Sequence, residues 1–87
     1  MEEELQPIGE VTHYFDRIGV AVIHLWDELA IGDWVQIYGS MTNLVQQVES
    51  MQIDHQPIDE AFADQEIALQ VVDQVRKGDW VYPYSVE

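Results

Sequence analysis

Cysteine is absent from the 87 residues, and with it go disulfide scaffolds, thiolate zinc sites and cysteine nucleophiles. Positive charge is almost absent: Arg17, Arg76 and Lys77 face 17 Asp and Glu residues, for a formal net charge of −14. Nucleic-acid affinity comes largely from cations that neutralise phosphates. So few cations make no basic stripe, and the charge speaks against nucleic acid as a partner. It speaks equally against anionic membrane surfaces. No apolar run comes near the ~20 residues of a membrane-spanning helix. The N-terminal Met1-Glu2-Glu3-Glu4 lacks the apolar stretch of a secretory signal. The expected location is cytoplasmic.

What is present is ordinary globular material. A hydrophobic share of 47% is enough for a packed core despite the charge. On size alone, such a chain makes one small domain that buries roughly 60–65% of its unfolded surface. Residues 1–7 read as a flexible acidic tail, 8–84 as a single domain and 85–87 as a short C-terminal tail. The acidity itself fits solubility, a saline cytoplasm or a basic partner.

One stretch organises the rest: Leu29-Ala30-Ile31-Gly32-Asp33-Trp34-Val35-Gln36-Ile37-Tyr38-Gly39. Its punctuation recurs as Val75-Arg76-Lys77-Gly78-Asp79-Trp80-Val81-Tyr82. Each copy puts Gly where a turn needs positive φ, followed by an Asp able to bond backbone two residues on. Gly32, Asp33, Gly78 and Asp79 are accordingly read as fold-determining, together with Gly19, which closes a hairpin loop at Asp16–Gly19.

Alternation supplies the strands. Ile8–Phe15 and Val20–Leu25 form the first hairpin; the second of these is apolar on both parities, which suggests cover on each face or a partner surface. Trp34–Tyr38 follows, then Leu44–Ile53, whose apolar residues change parity, so that a bulge is expected at Glu49-Ser50. The run 58–77 also fits helical spacing, ahead of a Gly78 cap. The Gly78-Asp79 copy and the β-branched Val71-Val72 favour a strand at Glu66–Val71 and a last one at Trp80–Tyr84, which Pro83 requires to lie at an edge or to end there. Six short strands separated by turns imply a small closed barrel.

The ordered set of these elements resembles a known family. Ile8-Gly9-x-Val11-Thr12-His13-Tyr14-Phe15, Ile18-Gly19-Val20-Ala21-Val22, Leu29-x-Ile31-Gly32-Asp33-x-Val35-x-Ile37-x-Gly39, Val48-Glu49-Ser50-Met51-Gln52-Ile53 and Val75-Arg76-x-Gly78-Asp79-x-Val81-Tyr82 are similar to the second domain of elongation factor Tu. They resemble in particular the small free-standing elongation-factor-like proteins. The resemblance implies an all-β fold, a six-stranded closed antiparallel barrel of the translation-protein type. A similar barrel also ends some collagenase-like peptidases and tRNA-modification proteins, so the fold does not fix a function. The chain departs from the pattern at Ala63-Asp64-Gln65, where the family carries Gly, and in showing Trp, Gln and Met where free-standing relatives carry Lys. It has no P-loop.

No residue set announces a chemistry. His13, His24 and His55 lack metal-ligand spacing, the serines sit in no nucleophile elbow, and no carboxylate pair is marked out. The expectation is no catalytic residue, no metal and no cofactor. If Val35 and Val81 point inward, alternation sends Trp34, Tyr38, Trp80 and Tyr82 outward as an apolar row of the kind that marks contacts. The resulting reading is a non-enzymatic, stand-alone translation-factor-like module that docks on a protein partner, or pairs with itself, through that row. The alternative is a tRNA- or ribosome-associated accessory.

Overall fold

A computed structural model describes residues 6–86; the expected tail at residues 1–5 and the last residue lie outside them. Among the described residues every regular element is a strand, so the helical alternative over 58–77 is not realised. Ten strands follow in order: β1 Gly9–Phe15, β2 Val20–Leu25, β3 Leu29–Ala30, β4 Trp34–Tyr38, β5 Asn43–Gln47, β6 Met51–Ile53, β7 Gln56–Ile58, β8 Glu60–Ala61, β9 Glu66–Gln70 and β10 Trp80–Pro83. Eight of them form one antiparallel sheet in the order β5-β4-β10-β1-β2-β9-β6-β7; β3 and β8 pair separately.

The sheet is an open half-barrel, which corrects the expected closed six-stranded barrel. The difference arises within residues 44–53. In place of one bulged strand, the chain breaks there: β5 pairs with β4, whereas β6 pairs with β7 and β9 at the far end of the sheet. Val48, between them, leaves the ladder. Its N–H donates to the Asp33 carbonyl and its carbonyl accepts from Gly32 N–H, at 2.7 and 2.8 Å. The β6–β7 hairpin turns through Asp54 and His55, both at positive φ, and Pro57 lies on β7 at the sheet edge, where a missing N–H is tolerated.

The core lies on one face only. Val11, Ala21, Ile23, Leu25, Val35, Ile37, Leu69 and Val81 are fully enclosed, while the opposite parity of β2 (Val20, Val22, His24) is only half-buried. The expected cover on both faces of β2 is thus absent. Leu29 and Ala61, paired across β3 and β8, close one end of the core.

Three turns of one design tie this core together. In Ala30–Asp33 and Arg76–Asp79 the Asp carboxylate accepts from the N–H of the residue three positions earlier, at 2.9 and 2.8 Å, and not from one two positions later. In Phe62–Gln65 the Gln65 side-chain oxygen makes the same bond to Phe62 N–H at 2.8 Å. The third position of each turn has positive φ: Gly32 at 97°, Gly78 at 94° and Asp64 at 73°. Each turn then grips one core residue from elsewhere in the chain by two backbone bonds. Gly32 and Asp33 hold Val48, Gly78 and Asp79 hold Val11, and Asp64 and Gln65 hold Leu25.

Asp64 thus does the work for which glycine is suited. A non-Gly residue in the left-handed region is strained by roughly 1–2 kcal/mol, somewhat less for Asp. Asp64→Gly is therefore expected to raise stability by up to about 1 kcal/mol, offset in part by the greater freedom of the unfolded chain. Asp64→Val is expected to lower it, because a β-branched side chain resists positive φ. Urea denaturation should rank the three Gly, Asp, Val from most to least stable.

Candidate functional site

The outward parity of β4 and β10 carries the rings. Trp80 lies directly opposite Tyr38, and Tyr82 opposite Gln36. One step beyond the ladder, Tyr84 N–H donates to the Trp34 carbonyl at 3.0 Å, which brings Tyr84 alongside Trp34. Trp34, Tyr38, Trp80 and Tyr84 are between 37% and 50% exposed; Tyr82, between them, is half-buried. All four rings of the expected row, Trp34, Tyr38, Trp80 and Tyr82, therefore share one face, with Tyr82 the least accessible.

Trp26 completes the face and was missing from the expected set. It continues the outward parity of Val22 and His24 beyond the end of β2, so the alternation could have found it. Its ring centroid lies 5.6 Å from that of Trp80 at a tilt of 47°, a separation typical of favourable aromatic pairs. His24 stands edge-on to Trp26 at 6.5 Å, opposite Glu10 on β1 and Glu66 on β9.

Beside Trp34 the face falls into a cleft of about 410 Å³, lined by Ile8, Asp27, Glu28, Leu29, Asp33, Trp34, Pro83 and Tyr84. Ile8 and Leu29 are buried and make an apolar floor. One strand and one turn produce this arrangement. The alternation of β4 puts Trp34 outward, and the bonds of the Ala30–Asp33 turn fix Asp33 at the cleft wall.

The other expected residues hold the frame. Gly19 adopts φ 66° in the β1–β2 turn, and its carbonyl accepts from Val71 N–H. Gly32, Asp33, Gly78 and Asp79 belong to the turns described above; Asp79 is buried. His13 and His24 are not brought together: His13 sits opposite Val22 and packs edge-on against Phe15 at 4.3 Å. Among the described residues no group of three or more His, Asp or Glu side chains converges as a metal site would require.

No family model matches the chain. The chain is similar to an uncharacterized protease of Methanocaldococcus jannaschii, 38% identical over 76 residues, and to a collagenase of Porphyromonas gingivalis, 34% identical over 80. These matches take in 86% and 90% of this chain but only 19% and 22% of the relatives, so the chain spans about a fifth of their length. Among solved structures, two of the C-terminal domain of a Geobacillus thermoleovorans protein named as a U32 peptidase share the fold. One superimposes with a TM-score of 0.83 at 21% identity over 88% of this chain and 98% of the other; the second gives 0.86 at 19% identity over 92% and 93%.

These findings overturn the family expectation. The chain is similar to proteases and to a peptidase domain, and the match to the second domain of elongation factor Tu was a likeness of small-barrel turn patterns. The translation-factor module, the tRNA or ribosome accessory and the non-enzyme reading go with it. A turn of Gly-Asp followed by an alternating strand specifies the clasped β-turn and not the protein around it, which is why it misled.

Proposed function

We propose that the chain is the β-domain of a peptidase of the collagenase-like kind, and that its outer aromatic face captures polypeptide substrate. The observation that carries this reading is the set of exposed rings on one face, Trp34, Tyr38, Trp80 and Tyr84 at the paired β4 and β10, extended by Trp26 against Trp80. Flat, rigid rings give large contact area with few torsions to fix, and an exposed apolar patch of this kind marks a contact surface. The protease and collagenase names of the relatives support a polypeptide as the thing contacted. The cysteine-free, acid-rich composition supports a cytoplasmic setting.

Gelatin tests the proposal. The 87-residue chain is expected to bind immobilised gelatin saturably while sedimenting as a monomer. Trp34→Ser and Trp80→Ser should each weaken binding by about tenfold, the scale of an interface hot spot, with unchanged circular dichroism; Phe15→Ser, at the turn end of the β1–β2 hairpin away from Trp26, should not. A dimer that buries Trp80, or gelatin binding indifferent to both tryptophans, would overturn it.

A further inference from the structure

We propose that the cleft beside Trp34 is a pocket for a cationic side chain, so that the captured polypeptide is selected for Arg or Lys at one position. This rests on the aromatic face being the substrate surface and names what that surface recognises.

The cleft lining combines two chemistries. Trp34, Tyr84 and Pro83 supply apolar and ring surface; Asp27, Glu28 and Asp33 supply carboxylates in the same lining. A long cationic side chain satisfies both at once. Its methylenes lie along apolar surface while the charged end reaches polar groups, and the ring faces attract the cation itself. Its volume, about 410 Å³, lies in the range of ligand pockets, and the apolar floor of Ile8 and Leu29 suits the stem of such a side chain.

The carboxylates are available for a ligand. Asp33 commits one oxygen, Oδ2, to Ala30 N–H, and Asp27 commits Oδ1 to Glu28 N–H. Among the described residues none of the three forms an ion pair with a lysine or arginine. The protein's own cations lie elsewhere, Arg17 in the β1–β2 turn and Arg76 and Lys77 in the turn before β10. The net charge of −14 adds a long-range attraction for basic polypeptide that assists encounter. The cleft adds the position at which the charge is read.

The experiment uses three blocked decapeptides that differ only at a central residue: arginine, its neutral isostere citrulline, or glutamate. Titrated calorimetrically with the full chain at low salt, the arginine peptide is expected to bind about tenfold tighter than the citrulline peptide and the glutamate peptide weakest. The double variant Asp27→Asn/Glu28→Gln should bring the arginine peptide to within about twofold of the citrulline peptide. Asp16→Asn/Asp54→Asn removes the same charge from the β1–β2 and β6–β7 turns, away from the cleft lining, and should preserve the discrimination. Equal affinity for arginine and citrulline, or equal loss in both double variants, overturns the pocket while gelatin binding through the rings would stand. Failure of every peptide together with gelatin overturns both.

Discussion

Gly39→Ala is expected to lower stability by about 3 kcal/mol, at the upper end of what overpacking a tight site produces. A Cβ on Gly39 would overlap the Asp79 carboxylate, with the Asp79 Cγ only 2.8 Å away. The carboxylate has nowhere to retreat. It is buried, and its Oδ2 holds Arg76 N–H in the turn whose backbone grips Val11. For a domain of this size the loss corresponds to a fall in Tm of roughly 12–24 °C. Gly32→Ala provides the comparison. Space around Gly32 is open, so only its positive φ resists the substitution, at about 1–2 kcal/mol. Urea denaturation followed by tryptophan fluorescence should find Gly39→Ala the more damaging. The double variant Gly39→Ala/Asp79→Ala should lose less than the two single losses added, because both act on one contact. Strict additivity would refute the clash.

The second large effect is expected at Gln46. Its side chain is buried on β5, one edge of the half-barrel, and reaches across to the C-terminal end of β9. Nε2 donates to the Gln70 carbonyl and Oε1 accepts from Val72 N–H, both at 2.9 Å. The amide thus replaces the backbone ladder that a closed barrel would have there. Gln46→Leu keeps the volume and removes both bonds, leaving a carbonyl and an N–H unsatisfied at the seam; the expected loss is roughly 2–3 kcal/mol. Amide hydrogen exchange should show Val72 N–H exchanging faster by at least tenfold in the variant. Gln47→Leu, at the adjacent position where the amide bonds only the exposed Gly32 carbonyl, should change stability by less than about 1 kcal/mol. If Val72 exchange is unaltered by Gln46→Leu, the seam is not held by that amide.

These two sites show what sequence could and could not reveal. The strands β1, β2, β4, β9 and β10 were legible because each alternates over several residues against a single core. β3, β7 and β8 were not, since two or three residues have no period. The parity change between Val48 and Met51 was visible, but a bulge and a break look alike until one knows that Val48 bonds to the turn at Gly32-Asp33. Gln46 carries no pattern at all; its partners are 24 and 26 residues away. At the candidate site, alternation found Trp34, Tyr38, Trp80 and Tyr82 and, extended past β2, would have found Trp26. The acidic lining of the cleft was hidden among many carboxylates of equal claim. Collagenase-like peptidases entered the sequence reading only as other bearers of a similar barrel, because this chain carries frame residues and rings, and among the described residues no metal-holding cluster, to choose between them and the translation factors.

The three clasped turns also set an order in time. The grip of Gly32-Asp33 on Val48 closes a short stretch of chain, that of Asp64-Gln65 on Leu25 a longer one, and that of Gly78-Asp79 on Val11 nearly the whole domain. Loop-closure entropy grows with length, and contacts distant in sequence are made late unless something nearer has already brought their strands together. Assembly is therefore expected to run from the middle of the chain outward, with the β1–β10 seam, which seats Trp80 beside Trp26, among the last contacts made. The rings of β4 and β10 would come together before that step, and the complete aromatic face only with it.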